Sequence, residues 1–330
     1  MTKSPKISII LPIHNAGDYL RPCLDTLINQ SLQEIEILCV LDCPTDGSDK
    51  IVEEYAATDK RIVLIKNNHN KNIGESRNVG ILAARGEYIG FSDHDDTHKQ
   101  TMYEELYAAT EEGTKEAVFS GVFAQQILST TSLFSQYPPL QKAFLTLLVR
   151  DGIPRFCGHV TPHLYNRSFL LENNITFVDT KETCGEDRIF LESIISCIKK
   201  ENDVAWLNKR LYLYRLHDMN AHTQKWYGDI PHTLNFVKKM IEVSRNTDFA
   251  DRQLVNHLIA RFLIQTVYTS NRKYRNEPGE KDYKTLIKED KALCNLIAYA
   301  SILSLRLTIP KTLFAIRLKY ICRSQLYNRN

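Results

Sequence analysis

The hydrophobic residues of this chain alternate between two rhythms. Short β-branched runs at Ile7–Ile13, Ile35–Leu41, Ile62–Lys66 and Glu87–Phe91 are each followed by a polar loop and then by a stretch of helical periodicity, at Gly17–Asn29, Ser48–Thr58, Gly74–Ala84 and Lys99–Glu112. Strands alternating with helices predict βαβ units and a parallel sheet. Ile7-Ser8-Ile9-Ile10-Leu11 is nearly all apolar, as a strand must be when helices cover both of its faces. The expected class is therefore α/β, a Rossmann-like, mostly parallel sheet with helices on both faces.

Beyond residue 115 the rhythm breaks. A strand is expected at Ala117–Phe119, then a Ser/Thr-rich loop over 129–135 closed by Pro138-Pro139. A helix at Leu140–Val149, a strand at His163–Asn166, a helix at Glu186–Ile198 and a strand at Arg210–Arg215 follow, and from Pro231 the pattern is helical with breaks near Thr247, Pro278-Gly279 and Pro310. The organisation read from this is a first domain over 1–220, with halves 1–115 and 116–220, and a helical C-terminal region over 221–330.

Composition narrows the class. With 43% hydrophobic and 25% charged residues among 330, the chain can bury a large core without disulfides or disorder. Its eight cysteines form no C-x-x-C pair and several sit in apolar runs, which predicts a reducing compartment. The apolar run Ile7–Ile13 is too short for a signal-peptide core, so a cytoplasmic location is expected. The net charge of +3 hides an asymmetry: residues 291–330 carry Lys291, Arg306, Lys311, Arg317, Lys319, Arg323 and Arg329 with no acid, leaving residues 1–290 at −4. A mildly acidic body argues against nucleic acid as a partner and for one local anionic partner at the tail.

The polar clusters carry the chemistry. His14-Asn15 ends the first strand, Asp42 the second and Ser92-Asp93-His94-Asp95-Asp96 the fourth. In open parallel sheets ligands bind at the carboxyl ends of strands, so three clusters converge on one edge; each taken singly also suits a helix cap or turn. Asp93 and Asp95 are two apart, which in an extended segment points both carboxylates one way, an arrangement that invites Mg²⁺ or Mn²⁺ beside a nucleotide. A P-loop, a G-x-G-x-x-G after a strand, an H-E-x-x-H and a G-x-S-x-G are all missing. Cys157, His159 and His163 lack a fourth ligand at zinc spacing, and Trp206 is read as core.

Four ordered segments sharpen this reading: Ile7 through Pro12 to Asn15; Leu41-Asp42-Cys43-Pro44-Thr45-Asp46-Gly47-Ser48; Asn72-Ile73-Gly74-Glu75-Ser76-Arg77-Asn78-Val79-Gly80; and Gly86 through Asp93-His94-Asp95-Asp96. Together they resemble glycosyltransferase family 2 with the GT-A fold, of the kind that assembles bacterial surface polysaccharide or lipopolysaccharide. More weakly, Leu164–Leu171 looks like that family's acceptor-side strand and helix, Gly185-Glu186-Asp187 like its Glu-Asp motif and Tyr212–His217 like its Tyr-Arg-x-His segment. Leu41 and Cys43-Pro44 depart from the family at the loop that reads the base, and the last 110 residues match nothing in it.

The resemblance implies transfer of a hexosyl or N-acetylhexosaminyl group from a nucleotide diphosphate sugar, a UDP-sugar being favoured, to a hydroxyl of a glycan or lipid-linked glycan. It implies a donor site of Pro12, His14, Asn15, Asp42, Gly74, Arg77, Asn78, Asp93, His94 and Asp95, with Asp42 on the nucleobase, Asp93 on ribose or metal and Asp95 on the metal, Mn²⁺ or Mg²⁺. Arg77 would add positive charge there, or else lie in a solvated helix start beside Glu75. Asp187 would be the base of an inverting displacement, although Glu186-Asp187 equally suits a helix first turn. Glu186 and His163 fall on the acceptor side, and Arg215 and His217 near the diphosphate or metal. The alternative is a catalytically silent nucleotide-sugar or carbohydrate binder on the same fold. For the tail, 14 residues between Lys291 and Arg306 are too few to span a bilayer. A peripheral hold on the inner face of the cytoplasmic membrane is expected, with packing on the catalytic domain or in a homo-oligomer as the other reading.

Overall fold

A computed structural model describes residues 4–121, 159–215, 230–244 and 290–299, with scattered positions elsewhere. The chain divides into two compact units, Met1–Ala143 with Pro154–Lys181 and Glu186–Leu216, and Phe144–Ile153 with Glu182–Gly185 and His217–Asn330.

The first unit is built on a seven-stranded sheet. In chain order its strands are β1 (Ile7–Ile13), β2 (Ile35–Leu41), β3 (Ile62–Lys66), β4 (Tyr88–Phe91), β6 (Ala117–Ser120), β7 (Leu164–Asn166) and β8 (Val204–Leu207), while β5 (Thr97–His98) and β9 (Tyr212–Leu213) form a separate pair. The spatial order is β3-β2-β1-β4-β7-β6-β8. Strands β1 to β4 run parallel, β7 enters antiparallel between β4 and β6, and β6 and β8 are again parallel. The sheet is thus mixed and mostly parallel.

Every residue of β1 and β2 is buried because both faces are covered. Ile7, Ile9, Leu11 and Ile13 share one core with Leu20, Cys23, Leu24 and Leu27 of α1 (Leu20–Ile28) and with Met102 and Leu106 of α4 (Met102–Ala108). On the opposite face Ile10 lies so close to Gly80 of α3 (Asn72–Ala83) that a methyl group at Gly80 would overlap it. Among the described residues this unit also has α2 (Ser48–Thr58), α5 (Arg167–Glu172) and α6 (Glu186–Cys197).

The structure differs from the sequence reading where local geometry intervenes. Gly17–Tyr19 is a 3₁₀ turn, and α1 starts only at Leu20, which puts Pro22 in the first turn where its missing N–H costs nothing. Helix α4 is shorter than Lys99–Glu112. The Lys99 N–H is taken by the Leu211 carbonyl (2.8 Å), and Glu111 and Glu112 adopt positive φ (51° and 59°) ahead of Gly113. Strand β8 was not read from the sequence, and β9 holds only two of the expected Arg210–Arg215.

In the second unit the described helices include α7 (Ile230–Ser244) and α8 (Lys291–Tyr299). Residues 139–141 and 143, which belong to the first unit, are helical, whereas 144–149 and the breaks near Thr247, Pro278-Gly279 and Pro310 lie outside the described residues. Among the described residues no helix is long and apolar enough to cross a membrane.

Candidate active site

The β1–α1 and β2–α2 loops are stitched together at the carboxyl edge of the sheet. Asn15, in the left-handed region at φ 49°, accepts the Thr45 N–H on Oδ1 at 2.7 Å, and Asp46 accepts the Gly17 N–H at 2.8 Å. His14 Nδ1 donates to the Asp42 carbonyl at 2.7 Å. The Asp42 carboxylate is itself buried and accepts from Asn67 Nδ2 (2.8 Å) and Lys71 N (2.7 Å), so it fixes the loop after β3 as well. A shallow polar shelf results, with His14 and Asn15 exposed on it.

At the centre is Arg77, which is 1% exposed and reaches across from α3. Its Nη1 donates to Asp187 Oδ1 at 2.6 Å and its Nη2 to Asp93 Oδ1 at 2.8 Å, while its guanidinium lies over the Phe177 ring at 5.1 Å. Burial by itself would push its pKa down, but Asp187 and Asp93 outweigh that and raise it. One fixed cation thus bridges the carboxylate at the end of β4 and the carboxylate opening α6. A planar fork serves two acceptors in a way a lysine would not. Beside it Glu186 is pushed up, first by burial and then by Asp187.

Asp96 and Tyr212 belong to the same constellation and were not among the residues selected from the sequence. Asp96 is buried and accepts from Tyr212 Oη (2.6 Å) and from the Arg215 N–H (2.8 Å), while the Asp93 N–H donates to Tyr212 Oη at 3.1 Å. Burial first, and the Asp93 charge second, push the Asp96 carboxyl up to about 7. The fourth residue of the Asp-x-Asp-Asp run was the available signal: it folds back by the turn bond from Asp96 N to Asp93 O (3.2 Å). Asp96 ties down the β9 segment, and the Arg215 guanidinium ends over the Tyr19 ring at 5.1 Å.

The donor set fits a hard divalent cation. Asp93 and Asp95 offer carboxylate oxygens on one loop, and their charges add to burial in raising the Asp96 pKa. Among the described residues no three His, Cys, Asp or Glu side chains gather closely enough to hold a metal unaided. Water or oxygens of a bound ligand would complete the coordination.

Four expected site residues are used otherwise. Gly74 packs against the 177–180 segment, where an added Cβ would lie 2.7 Å from the Val178 carbonyl. Asn78 clamps the same segment, donating to the Phe177 carbonyl (2.9 Å) and accepting its N–H (2.8 Å). Pro12 is buried in β1. The Ile10 carbonyl accepts Ser92 N at the end of β4 and the Ile13 carbonyl accepts Asp42 N from the β2 side, so the alternation turns Pro12 toward β4 beyond its last residue, where no N–H is needed. His163 is wholly buried, accepts the Ser120 N–H on Nδ1 at 3.0 Å and is pushed down to about 3 by burial, so it stays neutral and does not face an acceptor. Trp206 stacks on Phe119 with centroids 5.1 Å apart. His217 and Cys157 lie outside the described residues.

Known proteins share this fold. The fold matches the crystal structure of Staphylococcus aureus TarS 1–349 in complex with UDP-GlcNAc, with a TM-score of 0.66 at 19% identity over 98% of this chain and 92% of that one. It also matches the mannosyltransferase PcManGT of Pyrobaculum calidifontis in complex with GDP-Man and Mn²⁺, with a TM-score of 0.53 at 15% identity over 100% and 89%. Both place the first unit's mixed sheet in the GT-A class. In sequence, the chain is 32% identical over 238 residues to the glycosyltransferase EpsJ of Bacillus subtilis, covering 68% of each. It is 31% identical over 191 residues to a poly(ribitol-phosphate) beta-glucosyltransferase of Bacillus spizizenii, covering 56% of this chain and 28% of that protein. The profile described as Glycosyl transferase family 2 matches residues 8–172, and the chain belongs to that family: it is a glycosyltransferase.

Proposed function

We propose that this enzyme inverts the anomeric centre of a nucleoside diphosphate sugar, a UDP-sugar by preference, in transferring its sugar to a hydroxyl of a glycan or lipid-linked glycan during synthesis of a cell-surface polysaccharide. The observation that carries the reading is the Arg77 bridge, which sets Asp93 and Asp187 on the two sides of one guanidinium. A leaving group and a base must approach the anomeric carbon from opposite faces, so two carboxylates with separate tasks suit one in-line displacement.

The acceptor oxygen attacks the anomeric carbon as its proton passes to a carboxylate oxygen of Asp187, and the bond from that carbon to the diphosphate oxygen breaks. Arg77 fixes the direction of Asp187 through Oδ1, with the Val160 N–H 3.4 Å from Oδ2. The stitched β1 and β2 loops form the floor for the nucleoside, with Asp42 at its edge. Asp93 and Asp95 would hold Mn²⁺ or Mg²⁺, which stabilises the charge gathering on the departing diphosphate. Preference for UDP and a surface-polymer acceptor is supported by the UDP-GlcNAc complex of TarS and by the name of the Bacillus spizizenii relative. All seven described cysteines are free, which supports a reducing, cytoplasmic setting.

The test is turnover with Mn²⁺ across UDP-, GDP- and dTDP-sugars, reading nucleoside diphosphate released in the presence of glycan acceptors. D95A should abolish metal-dependent turnover. D187N should lower kcat by about two to four orders of magnitude at unchanged donor affinity. A D187N enzyme with normal kcat and weakened donor binding would refute the base assignment.

A further inference from the structure

The second unit carries an amphipathic segment that the transfer reaction does not use. The described residues between 315 and 323 are all helical. Ala315, Leu318 and Cys322 are buried, at 0%, 1% and 0% exposure, and so form the inner face at helical spacing. That face packs on α8: Cys294 Sγ approaches the Cys322 carbonyl at 4.0 Å and Arg323 Nε donates to the Ala298 carbonyl at 3.2 Å. The opposite face holds Ile316 at 49% and Tyr320 at 76% exposure, one turn apart, with Arg323 exposed beside them and Lys319 at the border.

An exposed aliphatic and an exposed aromatic in one row have a cost in water, and a single such residue would need no explanation. Their setting singles them out. Residues 291–330 carry seven cations and no carboxylate, whereas residues 1–290 are net negative. A second copy presenting the same tail would bring like charge against like charge. A protein partner would need an acidic apolar groove, whereas an anionic bilayer supplies negative headgroups and a receptive apolar layer together. Tyr320 suits that boundary, its ring apolar and its hydroxyl wet. No described helix can span a bilayer, so the contact would lie in the plane of the surface.

We infer that the Ile316–Tyr320–Arg323 face is a membrane-docking surface, by which the enzyme sits on an anionic lipid leaflet with Ile316 and Tyr320 inserted at headgroup depth. This holds whatever sugar the catalytic unit transfers, and it is tested without any turnover.

The experiment is flotation of the full-length protein with vesicles of phosphatidylcholine alone or with 30% phosphatidylglycerol, at about 50 and 500 mM salt. Binding is expected only to the anionic vesicles and should weaken at high salt. I316E/Y320E should lower the partition coefficient at least tenfold, while R323Q should lower it several-fold. Because Ile316 and Tyr320 are exposed, I316E/Y320E should keep the parent melting temperature, whereas R323Q also loses the bond to the Ala298 carbonyl, so I316E/Y320E decides the test. Absence of flotation with anionic vesicles overturns the inference, as does an I316E/Y320E variant that floats like the parent. Equal binding to neutral vesicles would overturn the anionic preference. If the parent runs as a dimer that I316E/Y320E dissociates, while neither floats, the face joins two copies and the lipid assignment is wrong.

Discussion

Removing the Arg77 guanidinium would leave Asp93 and Asp187 facing one another across a gap that solvent hardly reaches. The two carboxylates keep 23% and 19% side-chain exposure, so some charge would be screened. R77M is therefore expected to cost stability near the lower end of the ~3–5 kcal/mol typical of a broken buried pair, read from urea denaturation, with R77K recovering only part because one ammonium cannot bridge both acceptors. Glu192 presents the converse situation. It is wholly buried on α6, neither carboxylate oxygen has a hydrogen-bond partner among the described residues, and burial holds its pKa well above the ordinary value of 4.5 with only partial opposition from Arg188. The folded protein therefore binds a proton there that the unfolded chain releases. The stability tied to that proton is complete below pH 4.5 and is lost as pH rises toward the folded pKa. E192Q, neutral throughout, should gain on the parent between pH 5 and pH 8 by at most about 1.4 kcal/mol per pH unit, measured as paired melts; a constant difference would show that Glu192 titrates normally.

Among the elements, long runs of one periodicity were legible, and the shortest strands, made by distant contacts, were not. β1, β2, β3 and α2 match their expected bounds because each is a single uninterrupted run of one periodicity. β5 and β9 are only two residues each, and they exist because Thr97-His98 meets Tyr212-Leu213 from far along the chain. Likewise the acidic run after β4 could be placed at the sheet edge from sequence, but the inward turn of Arg77 could not, since the carboxylate it meets lies 110 residues away. The motif that places Gly74 and Asn78 beside Arg77 did not show that both also hold residues 177–180 against α3. The packing of α3 on β1 gives a test at this scale. G80A would gain about 1 kcal/mol in helix propensity, but its methyl would overlap Ile10, and overpacking of about 1–3 kcal/mol should outweigh the gain. A lower midpoint in urea at unchanged slope is the expected result.

At the scale of the molecule, the order β3-β2-β1-β4-β7-β6-β8 divides the first unit by strand direction: four neighbouring parallel strands carry the polar shelf, and the antiparallel β7 joins them to the rest. A fragment ending at residue 115 would hold β1 to β4 but leave β4 without its second neighbour. It should sediment as aggregate rather than as a monomer in velocity centrifugation, because an apolar strand with one open side recruits other chains. The same topology sets a schedule for the chain as it is made. Tyr88–Phe91 is complete long before Leu164–Asn166 exists, and at ribosomal rates of roughly 5–20 residues per second the interval between them is about 4–15 s. During those seconds the edge of β4 is open to any strand that arrives, so factors that slow elongation between residues 91 and 164 should lower the yield of native enzyme without altering the finished protein.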